Sequence, residues 1–371
     1  MGQKIHSSLI TRSTIPSVLR AAILILVLVV LQAASARAQP ASSGTLQPFH
    51  DSHRAMGTVF TIDLYAPDQQ TADQWMQISF DEVDRIEALL SNYQSSSELS
   101  RINREAPDHV VTTDPETFAF LRTSLDWSRR TGGAFDTTVG PLMRAWGFFF
   151  DHGRIPSRAQ LQSLRKQVGW QKVLLDPANR TVQFANHAHI EFDPGGIGKG
   201  YAVDHIVALL RQQHVTAALI SAGSSTIYAI GSPPGASGWL IHVPDPAHPG
   251  KVLSTVAVKD MSLSTSGCTE KFFVKNGRRY CHILNPRTMS PVQNMLQTTV
   301  ISPSATDSDA LSTATFVMGA RASAHILRSI PHSSAIIVSG TIEKPRYAAI
   351  DWPAPFNMNS SPATEKGNAT P

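Results

Sequence analysis

The hydrophobic pattern changes period several times along the chain. Thr58 to Tyr65 alternates apolar and polar residues, which predicts a half-buried strand. Met76, Phe80, Val83, Ile86 and Leu90 then recur at spacings of three and four, which predicts an amphipathic helix. Asp114-Pro115 reads as the cap and first position of a second helix carrying Phe118, Leu121 and Leu125, closed by Gly132-Gly133. Lys172 to Leu175, Thr181 to Phe184 and His189 to Phe192 are expected as short antiparallel strands. A helix from Tyr201 to Gln213 leads into the apolar strand Ala217 to Ser221, and more strands follow through Val300. No short repeat interrupts this order. Mixed strands and helices with many hairpins predict an α+β fold of largely antiparallel sheets with packed helices, rather than a doubly wound sheet.

The ends of the chain carry a different pattern. Lys4, Arg12 and Arg20 precede the apolar run Ala21 to Leu31, and Ala36-Arg37-Ala38 supplies small residues where a signal peptidase would cut. Residues 1–38 are therefore expected to be a cleaved secretory peptide, since eleven strongly apolar residues fall short of the ~20 that cross a bilayer. An uncleaved leader would instead tie the protein to the inner membrane. No cysteine follows the cut site, which argues against a lipid anchor. Residues 39–50 are expected as a disordered linker, 51–355 as the folded domain, and 356–371 as a disordered tail rich in Pro and Ser.

The leader also distorts the charge balance. The whole chain has a formal net charge of +4, but removing the four basic residues before Gln39 leaves 28 Lys+Arg against 28 Asp+Glu. The body is formally neutral and has no dense Lys/Arg run, so no nucleic acid partner is expected.

The two cysteines, Cys268 and Cys281, flank a hairpin whose turn is Asn276-Gly277. In that register Lys275 faces Arg278 and Phe272 faces Cys281, which leaves Cys268 four residues farther along its strand. Direct cross-strand pairing is not expected. A bulge or curved loop would be needed to form a disulfide, although an exported protein meets an oxidising environment.

The densest candidate chemistry is Asp193-Pro194-Gly195-Gly196-Ile197-Gly198-Lys199-Gly200-Tyr201, where four glycines surround one lysine between a strand-like and a helix-like segment. Glycines let backbone N–H groups approach an anion, and a helix N-terminus and a lysine add positive charge. A plain strand-to-helix turn would use the same residues. A Walker-type loop is excluded, because Asp193 stands where its first glycine belongs and Gly200 where its Ser or Thr belongs.

Other segments extend the pattern in a fixed order. Met56-Gly57-Thr58 comes first, followed by Ile86-Glu87-Ala88-Leu89-Leu90-Ser91-Asn92-Tyr93 and Ser97 to Asn103. Gly132-Gly133-Ala134-Phe135-Asp136, Gly140-Pro141-Leu142 and Trp146-Gly147-Phe148 precede the Gly-Lys loop. Thr265-Ser266-Gly267, His282 to Thr288, and Asp309-Ala310-Leu311-Ser312-Thr313-Ala314 follow it. Together these resemble the FAD:protein FMN transferases, the ApbE family, from about Ala55 to Gly319.

The resemblance implies an ApbE-like, T-fold-related architecture in a Mg²⁺-dependent enzyme of the bacterial envelope. Its substrate would be FAD, whose FMN half passes to a Ser or Thr hydroxyl of an acceptor protein, a membrane or periplasmic redox subunit, with release of AMP. Asp309 and Thr313, four apart on a helix-like segment, would offer hard oxygen donors from one face. By resemblance the backbone carbonyl of Gly196 joins them, with Ser312 as a weaker ligand. Read without the resemblance, Asp309 is better taken as a helix cap and Thr313 as an ordinary interior residue, since Asp-Ser-Asp stands before an apolar run. His282 would take the proton of the acceptor hydroxyl, as an imidazole titrating near neutrality can. The flavin contacts implied are Met56, Tyr93, Ala134, Phe135, Asp136, Asp193, Lys199 and Ile283. His187, His189 and Glu191 alternate along one predicted strand and are read as solvent-side residues.

The chain departs from the family pattern at four places. Asn285 replaces an Asp, Met289-Ser290 replaces a Gly-containing turn, Gly223-Ser224-Ser225 replaces Gly-Gly-Asp or Gly-Gly-Asn, and Cys268 lies near the acceptor loop. Losing a turn glycine changes which backbone angles are cheap, so the loop after His282 is expected to be reshaped. Two other functions use the same residues. One is an FAD pyrophosphatase releasing FMN and AMP, the other a non-catalytic FAD-binding protein.

Overall fold

A computed structural model describes residues 45–355, apart from 150, 151, 269 and 270. The predicted leader and tail lie outside the described residues. The chain opens with the hairpin β1 (Gln47–Ala55) and β2 (Thr58–Ala66), then helices α1 (Gln69–Leu90), α2 (Glu98–Glu105), α3 (Pro115–Arg130) and α4 (Gly140–Ala145). Short strands β3 (Val111–Thr112), β4 (Val173–Asp176) and β5 (Thr181–Phe184) form a separate antiparallel sheet, with helix α5 (Arg158–Leu164) preceding β4. Helix α6 (Gly198–Gln212) leads to β6 (Ala217–Ala222) and β7 (Thr226–Gly231), then the pair β8 (Trp239–Pro244) and β9 (Val252–Val258). After these come β10 (Met261–Gly267), the hairpin β11 (Phe272–Lys275) and β12 (Arg278–Cys281), and the two-residue strands β13 (Leu284–Asn285) and β14 (Ser290–Pro291). The last elements are β15 (Met295–Ser302), α7 (Ala305–Met318), α8 (Ala320–Arg328), β16 (Ser334–Gly340) and β17 (Pro345–Ile350).

Eight strands make one sheet in the order β1-β2-β6-β7-β10-β15-β16-β17, and every neighbouring pair is antiparallel. Helices α1, α6 and α7 cover one face and bury the main core, to which α1 gives Met76, Phe80, Val83, Ile86 and Leu90 as its periodicity predicts. The β8–β9 pair covers part of the other face through Ile241, Val243, Val256 and Val258. This is the expected α+β architecture.

Two expectations fail locally. β1 begins at Gln47, inside the segment read as a linker, and pairs with β2 along its whole length. Its sequence QPFHDSHRA is largely exposed and has no apolar alternation, because an edge strand can be held by backbone bonds alone. His189 to Phe192 is not a strand. Glu191 ion-pairs with Arg144 and its carbonyl takes the Gly140 N–H, while His187 bonds the Pro107 carbonyl, so these residues tie loops together.

Candidate active site

The Gly-rich segment folds as a tight turn into α6. Gly198 donates its N–H to the Pro194 carbonyl at 2.7 Å, so the helix starts three residues earlier than its apolar pattern suggests. Gly200 is required by packing. A Cβ there would lie 2.2 Å from the Ala305 carbonyl oxygen and 2.8 Å from the Asp309 Cβ. That close approach lets the Gly200 N–H donate to Asp309 Oδ2 at 3.0 Å and sets the N-terminus of α6 against the second turn of α7.

The same junction is locked from the other side. Asp204, one turn further along α6, accepts from the Ser304 hydroxyl, the Ala305 and Thr306 N–H groups and the Thr306 hydroxyl. These satisfy donors that a helix N-terminus otherwise leaves unpaired. Ser304 is the N-cap of α7. Asp309 is therefore not a cap; it sits in the second turn, buried, and faces the cleft.

Serine hydroxyls fix α7 to the sheet. Ser262, Ser264 and Ser266 alternate on β10, and Ser308 and Ser312 recur at i, i+4 on α7. The two periods meet: the Ser308 hydroxyl lies 2.8 Å from that of Ser262 and 2.7 Å from that of Ser264, and Ser266 lies 2.8 Å from Ser312. Ser266 also reaches the Thr313 hydroxyl at 3.3 Å. Ser312 is thus fully buried and turned to β10, also donating to the Asp309 carbonyl, whereas Asp309 and Thr313 line the cleft.

Gly196 faces Thr313, since a Cβ on it would be 3.1 Å from Thr313 Oγ1 and 3.3 Å from the Phe135 ring. Burial pushes the Asp309 carboxyl above its ordinary pKa, opposed by the charge of Lys199 and by the hydrogen bond from Gly200. A buried carboxylate and a hydroxyl lining one cleft beside Gly196 are the kind of hard oxygen donors that fit a cation such as Mg²⁺, which takes few protein ligands and keeps its waters. No group of three or more His, Cys, Asp or Glu side chains forms a metal cage among the described residues.

The opposite wall carries His282. It follows β12 directly, is half-buried, and its Nδ1 lies 3.0 Å from the Lys271 carbonyl oxygen. A carbonyl can only accept, so Nδ1 carries a proton; in the neutral ring Nε2 is then the acceptor atom, the form a general base needs. Cys281 is disulfide-bonded to Cys268, with Cα atoms 5.2 Å apart. The disulfide forms without direct cross-strand pairing within the hairpin, by the bend that the register requires. β11 begins at Phe272, Cys268 lies just beyond the end of β10, and the backbone bends at Cys268 and at Lys271, so Cys268 does not lie on an extension of β11. The predicted hairpin register itself holds, with Lys275 opposite Arg278 and Phe272 opposite Cys281.

The loop beyond His282 keeps a backbone angle that a glycine would adopt cheaply. Met289 takes φ 61°, a left-handed conformation unfavourable for a side chain, and is held there because it is buried and its carbonyl accepts the Trp146 indole N–H. Asn285 accepts the Arg287 and Thr288 N–H groups with its side-chain oxygen, so it builds the turn in place of a carboxylate.

Between the walls lie Ala134, Phe135, Asp136, Asp193, Lys199 and Ile283, all lining the same cleft. Asp136 is committed to structure, accepting from Thr138 N–H and hydroxyl and from the Trp170 N–H, and burial raises its pKa. Asp193 accepts the Gly195 N–H at 2.8 Å, and burial raises its pKa as well. Met56 is outside the cleft lining, at a two-residue turn with Gly57, its methyl 3.4 Å from where a Cβ on Gly198 would be. Tyr93 is 60% exposed in a neighbouring groove, stacked on Phe149 at 4.2 Å.

Residues 56–337 match the family model described as "ApbE family". The chain belongs to the ApbE family. A protein of Treponema pallidum named FAD:protein FMN transferase is 32% identical over 68% of this chain and 73% of its own length. One of the same name from Klebsiella pneumoniae is 30% identical over 76% of this chain and 87% of its own. The crystal structure of the ApbE protein from Thermotoga maritima superposes with a TM-score of 0.73 at 30% identity, covering 82% of this chain and 97% of that one. Within this ApbE chain, sequence reasoning missed Asp204 and the serine ladder. The alternation of Ser262, Ser264 and Ser266 was the available signal; Asp204 had none, because its partners lie a hundred residues away.

Proposed function

We propose that this chain transfers the FMN half of FAD to a Ser or Thr hydroxyl of an acceptor protein. The observation that carries the reading is convergence. Phe135 and Asp136, Asp193 with Gly195, Gly196 and Lys199, Ser266 and Gly267, His282 and Ile283, and Asp309 with Thr313 come from five distant segments to line one cleft.

In this reading His282 Nε2 takes the proton as the acceptor oxygen attacks the FMN phosphorus. The bond to the AMP phosphate breaks and AMP leaves. The charge of Lys199, at the cleft wall, draws the pyrophosphate in. Mg²⁺ held by Asp309, Thr313 and the Gly196 carbonyl would neutralise pyrophosphate charge and stabilise the leaving oxygen. The burial of Asp309 keeps water from screening that charge.

We also propose that the protein works in the periplasm. The leader-like residues 1–38 support this, and a disulfide suits an oxidising compartment.

The test incubates the protein from Gln39 onward with FAD, Mg²⁺ and a flavoprotein acceptor subunit. An acceptor mass gain of one FMN with AMP released, both lost on chelation, is expected. Free FMN and AMP with no mass gain on any acceptor would make the protein a pyrophosphatase, and bound, intact FAD would make it a carrier.

A further inference from the structure

Gly267 precedes Cys268 and His282 follows Cys281, and both Gly267 and His282 line the cleft. The disulfide therefore joins two cleft-lining segments. Its two ends are anchored differently. On one side Gly267 pairs with Gln297 in the main sheet, the Cys268 N–H donates to the Leu296 carbonyl at 3.2 Å, and the Ser266 hydroxyl reaches those of Ser312 and Thr313. On the other, Cys281 ends β12, in a hairpin that pairs with no other strand among the described residues. Both cysteines are buried and pack with Ile283 and with Phe316, which follows Thr313 by one turn of α7. From Cys268 to Cys281 the chain runs 13 residues around the hairpin, and the disulfide shortens that path to one bond.

The loop closed in this way also orients the imidazole. The His282 N–H and its Nδ1 both bond the Lys271 carbonyl, at 3.1 and 3.0 Å, and Lys271 stands in the short stretch between Cys268 and β11.

We infer that Cys268 and Cys281 are a positioning pair for the transfer step, whose bond holds His282 in register with the Asp309–Thr313 wall. The inference rests on the transfer reading above, in which the two walls serve one in-line displacement. A displacement of about 1 Å in such an assembly costs about 10²-fold in rate. FAD affinity is spread over many contacts and needs no such register, so a chain with the bond open binds FAD and transfers slowly. The oxidised chain is the competent form.

The test compares the full chain in three forms: with the disulfide, refolded from urea in dithiothreitol, and as Cys268→Ala/Cys281→Val, which fills the space without the bond. Dithiothreitol supplies two electrons and two protons, closing its own ring and leaving two cysteine thiols. FAD affinity is read by flavin fluorescence, kcat and KM by FMN transfer to a flavoprotein subunit, and the His282 ring nitrogens by ¹⁵N NMR against His282→Ala. Both bond-free forms are expected to keep FAD affinity and KM within about threefold, to lose about 10- to 100-fold in kcat, and to lose the fixed Nδ1–H signal. Oxidised glutathione, which takes two electrons and two protons from the thiols and becomes two glutathione molecules, should restore kcat in the refolded chain and not in the variant. A kcat within about twofold of the disulfide form, with only a lower melting temperature, would make the bond a stabiliser and overturn the inference. So would equal losses of FAD affinity and kcat, which mark a general loosening of the cleft. If the variant does not fold, recovery of the refolded chain on oxidation decides. If no form transfers FMN, the transfer reading fails, and the ring-nitrogen signals still show whether the bond positions His282.

Discussion

Asp309 and Thr313 stand on a helix joined to β10 by serine hydroxyls, capped by Asp204 and pressed against α6 through Gly200. His282, across the cleft, follows a two-stranded hairpin outside the main sheet, held by one disulfide and a few aromatic contacts. An isolated hairpin of this size is marginal in water, so this wall depends on its tethers. The helical wall is over-determined by many short contacts, which suits the role proposed for it, holding a charged diphosphate in one geometry. In the proposed reading the hairpin wall meets the acceptor, and three of the four departures from the family pattern, Cys268, Asn285 and Met289-Ser290, lie in or beside it.

The sharpest test of the helical wall is Asp309→Ala. Turnover is expected to fall by at least about 100-fold, with FAD affinity reduced far less. Metal-dependent turnover that survives in a steady-state assay would remove Asp309 from the ligand set. On the other wall, His282→Ala should leave FAD bound and cost about 10²–10⁴ in transfer rate. A rate unchanged across pH would show that another group takes the proton.

The tether can be cut directly. Cys268→Ser/Cys281→Ser opens a loop of sequence separation 13 and is expected to cost about 3 kcal/mol in urea denaturation. Amide exchange should rise in the hairpin and around His282 and stay slow in α6 and α7. A uniform rise would mean that the two walls do not differ in the way described.

Titration separates structural from chemical carboxylates. Burial raises the Asp136 pKa above its ordinary 3.8, so the folded state binds more protons than the unfolded one between that value and the raised one. Stability therefore falls as pH rises through that window and is level above it. Asp136→Asn should reduce this fall, although Asp193 and Asp309, shifted the same way, keep part of it. An identical pH slope in denaturation of the variant would show that Asp136 is not the group titrating. The smallest effect concerns Met289. Met289→Gly should be less destabilising than Met289→Ala by about 1 kcal/mol, because glycine relieves the left-handed backbone. The reverse order in thermal melts would place the cost in lost packing alone.

The local elements were legible because their causes are local. The α1 stripe, the Asp114 cap with Pro115, the Asn276-Gly277 turn and the β11–β12 register all follow from side-chain periodicity and turn chemistry. The ordered motifs also named most residues of the cleft, including Asp309, Thr313, Lys199 and His282. What they left open was decided by contacts between distant segments. The cysteine pair closed because the chain after β10 bends, Asp309 left the cap position because Ser304 and Asp204 took it, and Tyr93 stacked on Phe149 outside the cleft lining. Periodicity reports which face of an element is buried. Which element it is buried against, and so which polar atoms meet there, is set by packing of the whole sheet and its helices, and no local pattern encodes that.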